Sequence, residues 1–206
     1  MARVIYRPDQ LNFKKITLNV ASIGFTPDQF LRLCDDNPEL DFELTARKEI
    51  IIMPPCGATT SWQEGEAFAQ LHVWAKRNKT GLAFPSSAGF TLPNGATRAP
   101  DAAWLRREKW ESLSRRERDK LAPVCPDFVI EVKSKRNTMA ELHEKMREYL
   151  KNGSQMGWLI QPGRGHVYIY RQGQQPEHLK HPQSVSGDPV LPGFTLDLTE
   201  IWQSHD

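Results

Sequence analysis

One five-residue run constrains this chain more than any other segment: Phe128-Val-Ile-Glu-Val132, apolar at every position except Glu131. Strand side chains alternate between faces, so a run that is apolar on both faces has to be covered on both. That is the pattern of a buried central strand. Its one glutamate stands out, because burying an unpaired carboxylate costs several kcal/mol unless a partner, a metal or a substrate compensates it.

The other elements are read around this strand. Ile16, Leu18 and Val20 alternate with polar residues and predict a strand. Thr26-Pro27-Asp28-Gln29 opens a helix, with Thr26 as cap, Pro27 at the first position and Gln29 reaching back. Phe42/Leu44 and Ile50/Ile52, separated by Ala46-Arg47-Lys48, predict an antiparallel hairpin. From Ser61 to Asn78 the residues Ala67, Phe68, Leu71, Trp74 and Ala75 share one helix face, with Glu64 near its centre and Glu66 pointing to solvent. Gly81 is expected to close that helix. Ala83-Phe84 and Gly89 to Leu92 predict strands, with a turn at Pro93-Asn94-Gly95, and Asp101 to Leu105 predicts another. Ser114 and Glu117 fit a capping box, as do Thr138 and Glu141, the latter opening a helix with the stripe Leu142, Met146, Tyr149 and Leu150. Trp158 to Ile160 and Val167 to Tyr170 form a strand pair, and Leu191 to Leu198 a final strand or extended packing segment.

No repeat, low-complexity tract or linker divides the 206 residues, a length that suits one domain. The expectation is one domain over residues 1–206, with 1–39 as an N-terminal extension packed on the core. Six Trp and nine Phe argue against disorder. No apolar run approaches the roughly 18 residues of a membrane span, and Met1 to Arg7 lacks the apolar core of a secretory signal, so a cytoplasmic protein is expected. Cys34, Cys56 and Cys125 are odd in number and widely spaced, which excludes a disulfide framework and a Cys-x-x-Cys site and predicts buried thiols. A net charge of +2 does not announce a nucleic-acid binder, so such a function has to rest on local features.

Glu131 and Lys133 share a strand face, about 7 Å apart along it. Taken alone, they read as a structural ion pair. Asp101, after Pro100 on its own short strand, changes the weighting: adjacent strands would bring two carboxylates together. Two carboxylates suit a hard cation such as Mg²⁺, with Mn²⁺ as substitute. A nearby lysine could then orient or deprotonate a water for attack on a phosphate.

Pro100-Asp101 followed by Glu131-Val132-Lys133 resembles the PD-(D/E)XK nuclease signature. Its surroundings, Arg98 to Trp104, Cys125 to Ser134, Lys145 to Tyr149, Gly157 to Ile160 and Leu191 to Phe194, resemble the Uma-type restriction endonuclease family from about Leu40 onward. The resemblance implies a mixed α/β fold, with a central mixed β-sheet flanked by helices and a restriction-endonuclease-like core, plus additional N-terminal strands and a helix. It also implies Mg²⁺-dependent cleavage of DNA phosphodiester bonds and a homodimer. Asp101 and Glu131 would be metal ligands, joined by Glu64 from the first core helix, and Lys133 would position the water. Lys145 and Ser134 are candidates for phosphate contact.

Other residues carry less. Asp127 lies roughly 13 Å along the strand from Glu131, too far to share one ion, and is read as structural. The six His show no ligand spacing for zinc. The basic concentration from Arg106 to Lys120 is diluted by Glu108, Glu111, Glu117 and Asp119 and reads as a solvated helical face. The competing functions are a noncatalytic DNA-binding or interaction protein that retains the nuclease fold, and a metal-dependent hydrolase of another phosphate ester.

Overall fold

The computed structural model describes residues 15–203, so residues 1–14 of the expected N-terminal extension lie outside the described residues. The chain runs through β1 (Ile16–Asn19), α1 (Pro27–Asp36), β2 (Asp41–Leu44), β3 (Glu49–Met53) and α2 (Ala58–Asn78). Next come β4 (Gly81–Pro85), β5 (Phe90–Thr91), β6 (Thr97–Arg98) and β7 (Ala102–Arg106). Two short helices, α3 (Arg107–Ser112) and α4 (Arg115–Arg118), precede β8 (Phe128–Val132) and α5 (Met139–Lys151). The chain finishes with β9 (Met156–Gln161), β10 (His166–Arg171), β11 (Glu177–Lys180), β12 (Ser184–Ser186), β13 (Thr195–Asp197) and α6 (Thr199–Trp202).

β8 lies inside a six-stranded sheet ordered β11-β10-β9-β8-β7-β4. It pairs antiparallel with β7 and parallel with β9, and the parallel step is possible because α5 carries the chain back across the sheet. Phe128, Ile130 and Val132 pack with Ala67, Leu71, Trp74 and Ala75 of α2. Val129 faces the other way, with Leu142, Met146 and Tyr149 of α5. The sheet is therefore mixed and covered on both faces, as expected for a nuclease-like α/β core. A second sheet, ordered β1-β3-β2-β6-β5, holds the expected hairpin, Leu44 opposite Ile50. Its small core joins Leu44 and Ile50 to Phe30 of α1.

Close approach of the layers explains two glycines. A Cβ on Gly157 would come within 2.4 Å of Met146 Cε and 2.9 Å of Val129 Cγ2, so glycine lets α5 seat on the sheet. A Cβ on Gly81 would meet the Trp104 ring at 2.5 Å. Gly81 therefore opens β4 and does not close α2, whose cap is Lys79 at φ 59°. Helix α2 also begins a turn earlier than expected, and Glu66 is half-buried, accepting a hydrogen bond from Gln70 Nε2 at 2.9 Å. Of the three cysteines only Cys125 is buried; Cys34 and Cys56 are half-buried.

Candidate active site

Asp101 does not begin a strand; it sits one residue before β7. Continuing the Ala102–Ile130 register by one step sets it opposite Glu131. Its Oδ2 accepts from Val132 N at 2.6 Å, replacing the carbonyl a longer strand would have offered. Among the described residues this is the only hydrogen bond to the Asp101 carboxylate. Glu131, 2 % exposed, projects to the α5 face. There Tyr149 Oη donates to its Oε1 at 3.0 Å, and Lys145 Nζ stands 2.8 Å from the same oxygen.

Lys145 reaches this point because α5 places it on one face with Leu142 and Tyr149. Its ammonium also lies 2.7 Å from Glu43 Oε1. Glu43 comes from β2 of the other sheet and is 3 % exposed. Arg98 Nη1 donates to Glu43 Oε2 at 2.9 Å, and Arg98 Nε to Glu148 Oε2 at 2.6 Å. The two sheets thus meet in a buried chain of charges.

Glu64 reaches the same cavity from α2. The cavity, about 320 Å³, is lined by five carboxylates, Asp41, Glu43, Glu64, Asp101 and Glu131, and by three cations, Arg98, Arg136 and Lys145. Negative charge exceeds positive. Burial, then repulsion from Glu64, pushes the Asp101 carboxyl up to about 7. Burial likewise lifts Glu131 to about 8, with Lys145 opposing and Asp101 and Glu43 adding to it. Glu64 is raised too, by burial and by Glu131, against the pull of Arg136. Glu43 goes the other way: burial would raise it, but Lys145 and Arg98 together hold it at about 2. One ammonium cannot neutralise two carboxylates, and Glu43 has the second cation.

Lys133 lies just beyond the end of β8, half-buried. Its amine donates to the Ser134 carbonyl, and burial lowers its pKa. Among the described residues it makes no ion pair with Glu131; Lys145 takes the place of the structural Glu131–Lys133 pair. Ser134 is buried, and its Oγ accepts from Arg136 N at 3.3 Å. Asp127 is fully buried at the far end of β8, held by Lys109 Nζ at 2.9 Å and Arg106 N at 3.0 Å.

No three His, Cys, Asp or Glu side chains among the described residues are grouped closely enough to hold an ion unaided. Mg²⁺ needs less, since it is commonly held by one or two carboxylates with water and substrate oxygens completing its shell. Asp101 and Glu131 have that chemistry, and the excess of carboxylates round them is what a divalent cation would relieve.

Sequence reading missed Glu43. Phe42 and Leu44 marked the hairpin strand, and Glu43 between them carried no role; in the fold its carboxylate meets Lys145 of α5. Arg98 lay in a quoted motif without a role.

The family model described as "Putative restriction endonuclease" (Uma2) matches residues 27–199. Among solved structures the chain is similar to "a putative nuclease belonging to DUF820" from Anabaena variabilis ATCC 29413. The two are 25% identical with a TM-score of 0.70, over 86% of this chain and 97% of that one. No curated protein matches the chain.

Proposed function

Because the chain belongs to the Uma2 family, described as "Putative restriction endonuclease", we propose that it is a metal-dependent endonuclease hydrolysing DNA phosphodiester bonds. The observation that carries the proposal is the pairing of Asp101 with Glu131 across β7 and β8, in a cavity where carboxylates outnumber cations. Asp101 and Glu131 would hold Mg²⁺ or Mn²⁺, with Glu64 assisting from α2. A divalent ion bound there supplies charge neutralisation for the phosphate and makes water more acidic. Lys145 and Tyr149 fix the Glu131 carboxylate in place. With its ammonium engaged by Glu43 and Glu131, Lys145 serves as a positioning residue and is less suited to phosphate contact. Lys133, whose amine donates to the neighbouring Ser134 carbonyl, would position the attacking water once that amine turns towards the carboxylates. Residues 1–206 are taken as one domain, since β1 and α1 share a sheet and a core with β2 and β3. A cytoplasmic site of action belongs to the same proposal; no helix among the described residues is long and apolar enough to cross a membrane.

The test is cleavage of supercoiled and linear DNA with Mg²⁺, Mn²⁺ or EDTA. Wild-type protein is expected to cut only with a divalent ion. Lys133→Ala should lose on the order of 10²-fold or more in rate while still binding Mn²⁺, whereas Asp101→Asn should lose both. One observation favours a noncatalytic DNA-binding protein: Glu131 is already satisfied by Lys145 and Tyr149. DNA binding without a divalent ion, and no cleavage under any condition, would establish that reading.

A further inference from the structure

The parallel and antiparallel registers place one end of the large sheet in a single row. Lys133 continues β8 past Val132, and its N–H donates to Ile160 O at 2.8 Å, which sets it level with Gln161. Gln161 is opposite His166, and His166 is opposite Lys180. The connections at this same end are basic. The segment after β8 carries Lys133, Lys135 and Arg136, the turn between β9 and β10 carries Arg164, and β11 ends at Lys180 followed by His181. Turn and strand end are locked together, because His181 N donates to Gly165 O at 2.6 Å.

Lys135, Arg164, Lys180 and His181 are exposed. Among the described residues none of these six side chains forms an ion pair with a carboxylate. The opposite end of the sheet contrasts with this. Arg106 and Lys109 are paired with Asp127, Arg107 with Glu111 and Arg115 with Asp119. Cations of the charge-rich stretch from Arg106 to Lys120 are thus largely compensated, and that stretch is remote from Glu131. The exposed cations of the row, Lys135, Arg164 and Lys180, have no such carboxylate partner among the described residues.

We propose that this row, from Lys133 through Arg164 to Lys180 and His181, is the surface on which the DNA backbone lies as it leaves the Asp101–Glu131 site. The inference rests on the nuclease reading for its choice of DNA as occupant. From β8 to β11 the row crosses three strand spacings, about 14 Å. One strand of B-DNA presents about four phosphates over that length. Contacts of this kind carry affinity and register without base specificity.

The experiment is equilibrium binding of a fluorescent DNA duplex to the full chain in EDTA, at several salt concentrations. Wild type is compared with Arg164→Glu/Lys180→Glu and with Lys76→Glu/Arg77→Glu on the exposed side of α2 as a control. The row variant should bind about tenfold or more weaker, and the slope of log K against log salt should shrink by about 2, one for each lost phosphate contact. The control should keep both. Equal affinity in the row variant and wild type, or no DNA binding by wild type, overturns the proposal. The two readings fail separately. Row-dependent binding without cleavage in Mg²⁺ or Mn²⁺ leaves the row standing and removes the nuclease; normal cleavage with binding indifferent to the row does the reverse.

Discussion

Lys145 stands between Glu131 and Glu43, and each carboxylate depends on it. Lys145→Ala would strip the buried Glu131 of its cation and leave Glu43 with Arg98 alone, a loss of about 3–5 kcal/mol for a broken buried pair. Urea denaturation measures it; a change below about 1 kcal/mol would mean that the charges are wetter than their burial indicates. Glu43 gives the matching pH dependence. Its ordinary value of 4.5 falls to about 2 in the fold, because Lys145 and Arg98 outweigh its burial. The folded state therefore binds fewer protons at this group between those values. The stability it contributes is fully present above about 4.5 and is lost as pH falls towards 2. The stability difference between wild type and Glu43→Gln should accordingly shrink over that window when both are melted across an acid pH series. A difference that stays constant would detach Glu43 from the charge chain.

At the scale of elements, the helix starts that carry a side-chain cap were legible because their determinants are local, whereas α2, which has no side-chain cap at Gly57, begins a turn earlier than expected. The capping boxes at Thr26, Ser114 and Thr138 all form, each with both of its reciprocal hydrogen bonds. Thr138→Ala should cost about 1 kcal/mol by removing the acceptor for Glu141 N. Gly157→Ala tests the packing of α5 on the sheet: the added methyl has to displace Met146 and Val129, and overpacking of this kind costs about 1–3 kcal/mol. Thermal melting reads both, and an unchanged melting point for Gly157→Ala would show that α5 can shift away without penalty. Helix α3 and strands β11 and β12 were not legible. They are short, and β11 and β12 exist through pairing with β10 and β13, which no local pattern announces.

For the whole molecule, the crowding of carboxylates in one cavity sets stability against function. Asp101→Asn removes a charge that burial and Glu64 disfavour, so the metal-free variant should melt no lower than wild type. Added Mn²⁺ should raise the melting temperature of wild type and leave Asp101→Asn unmoved, since only a native state that binds the ion gains from it. An equal Mn²⁺ response in both would remove Asp101 from the metal proposal. The sequence by itself determined the central strand and the helix stripes and caps, because alternation, helical period and capping act over a few neighbouring residues. Only the tertiary structure decided which charges meet. Lys145 rather than Lys133 took the Glu131 carboxylate, and Glu43 arrived from a different sheet, 102 positions before its partner Lys145 in the chain by the numbering. Burial energies and Coulomb interactions depend on distance in space, and that distance is set by how two sheets and α5 pack together, which no local pattern in the chain encodes.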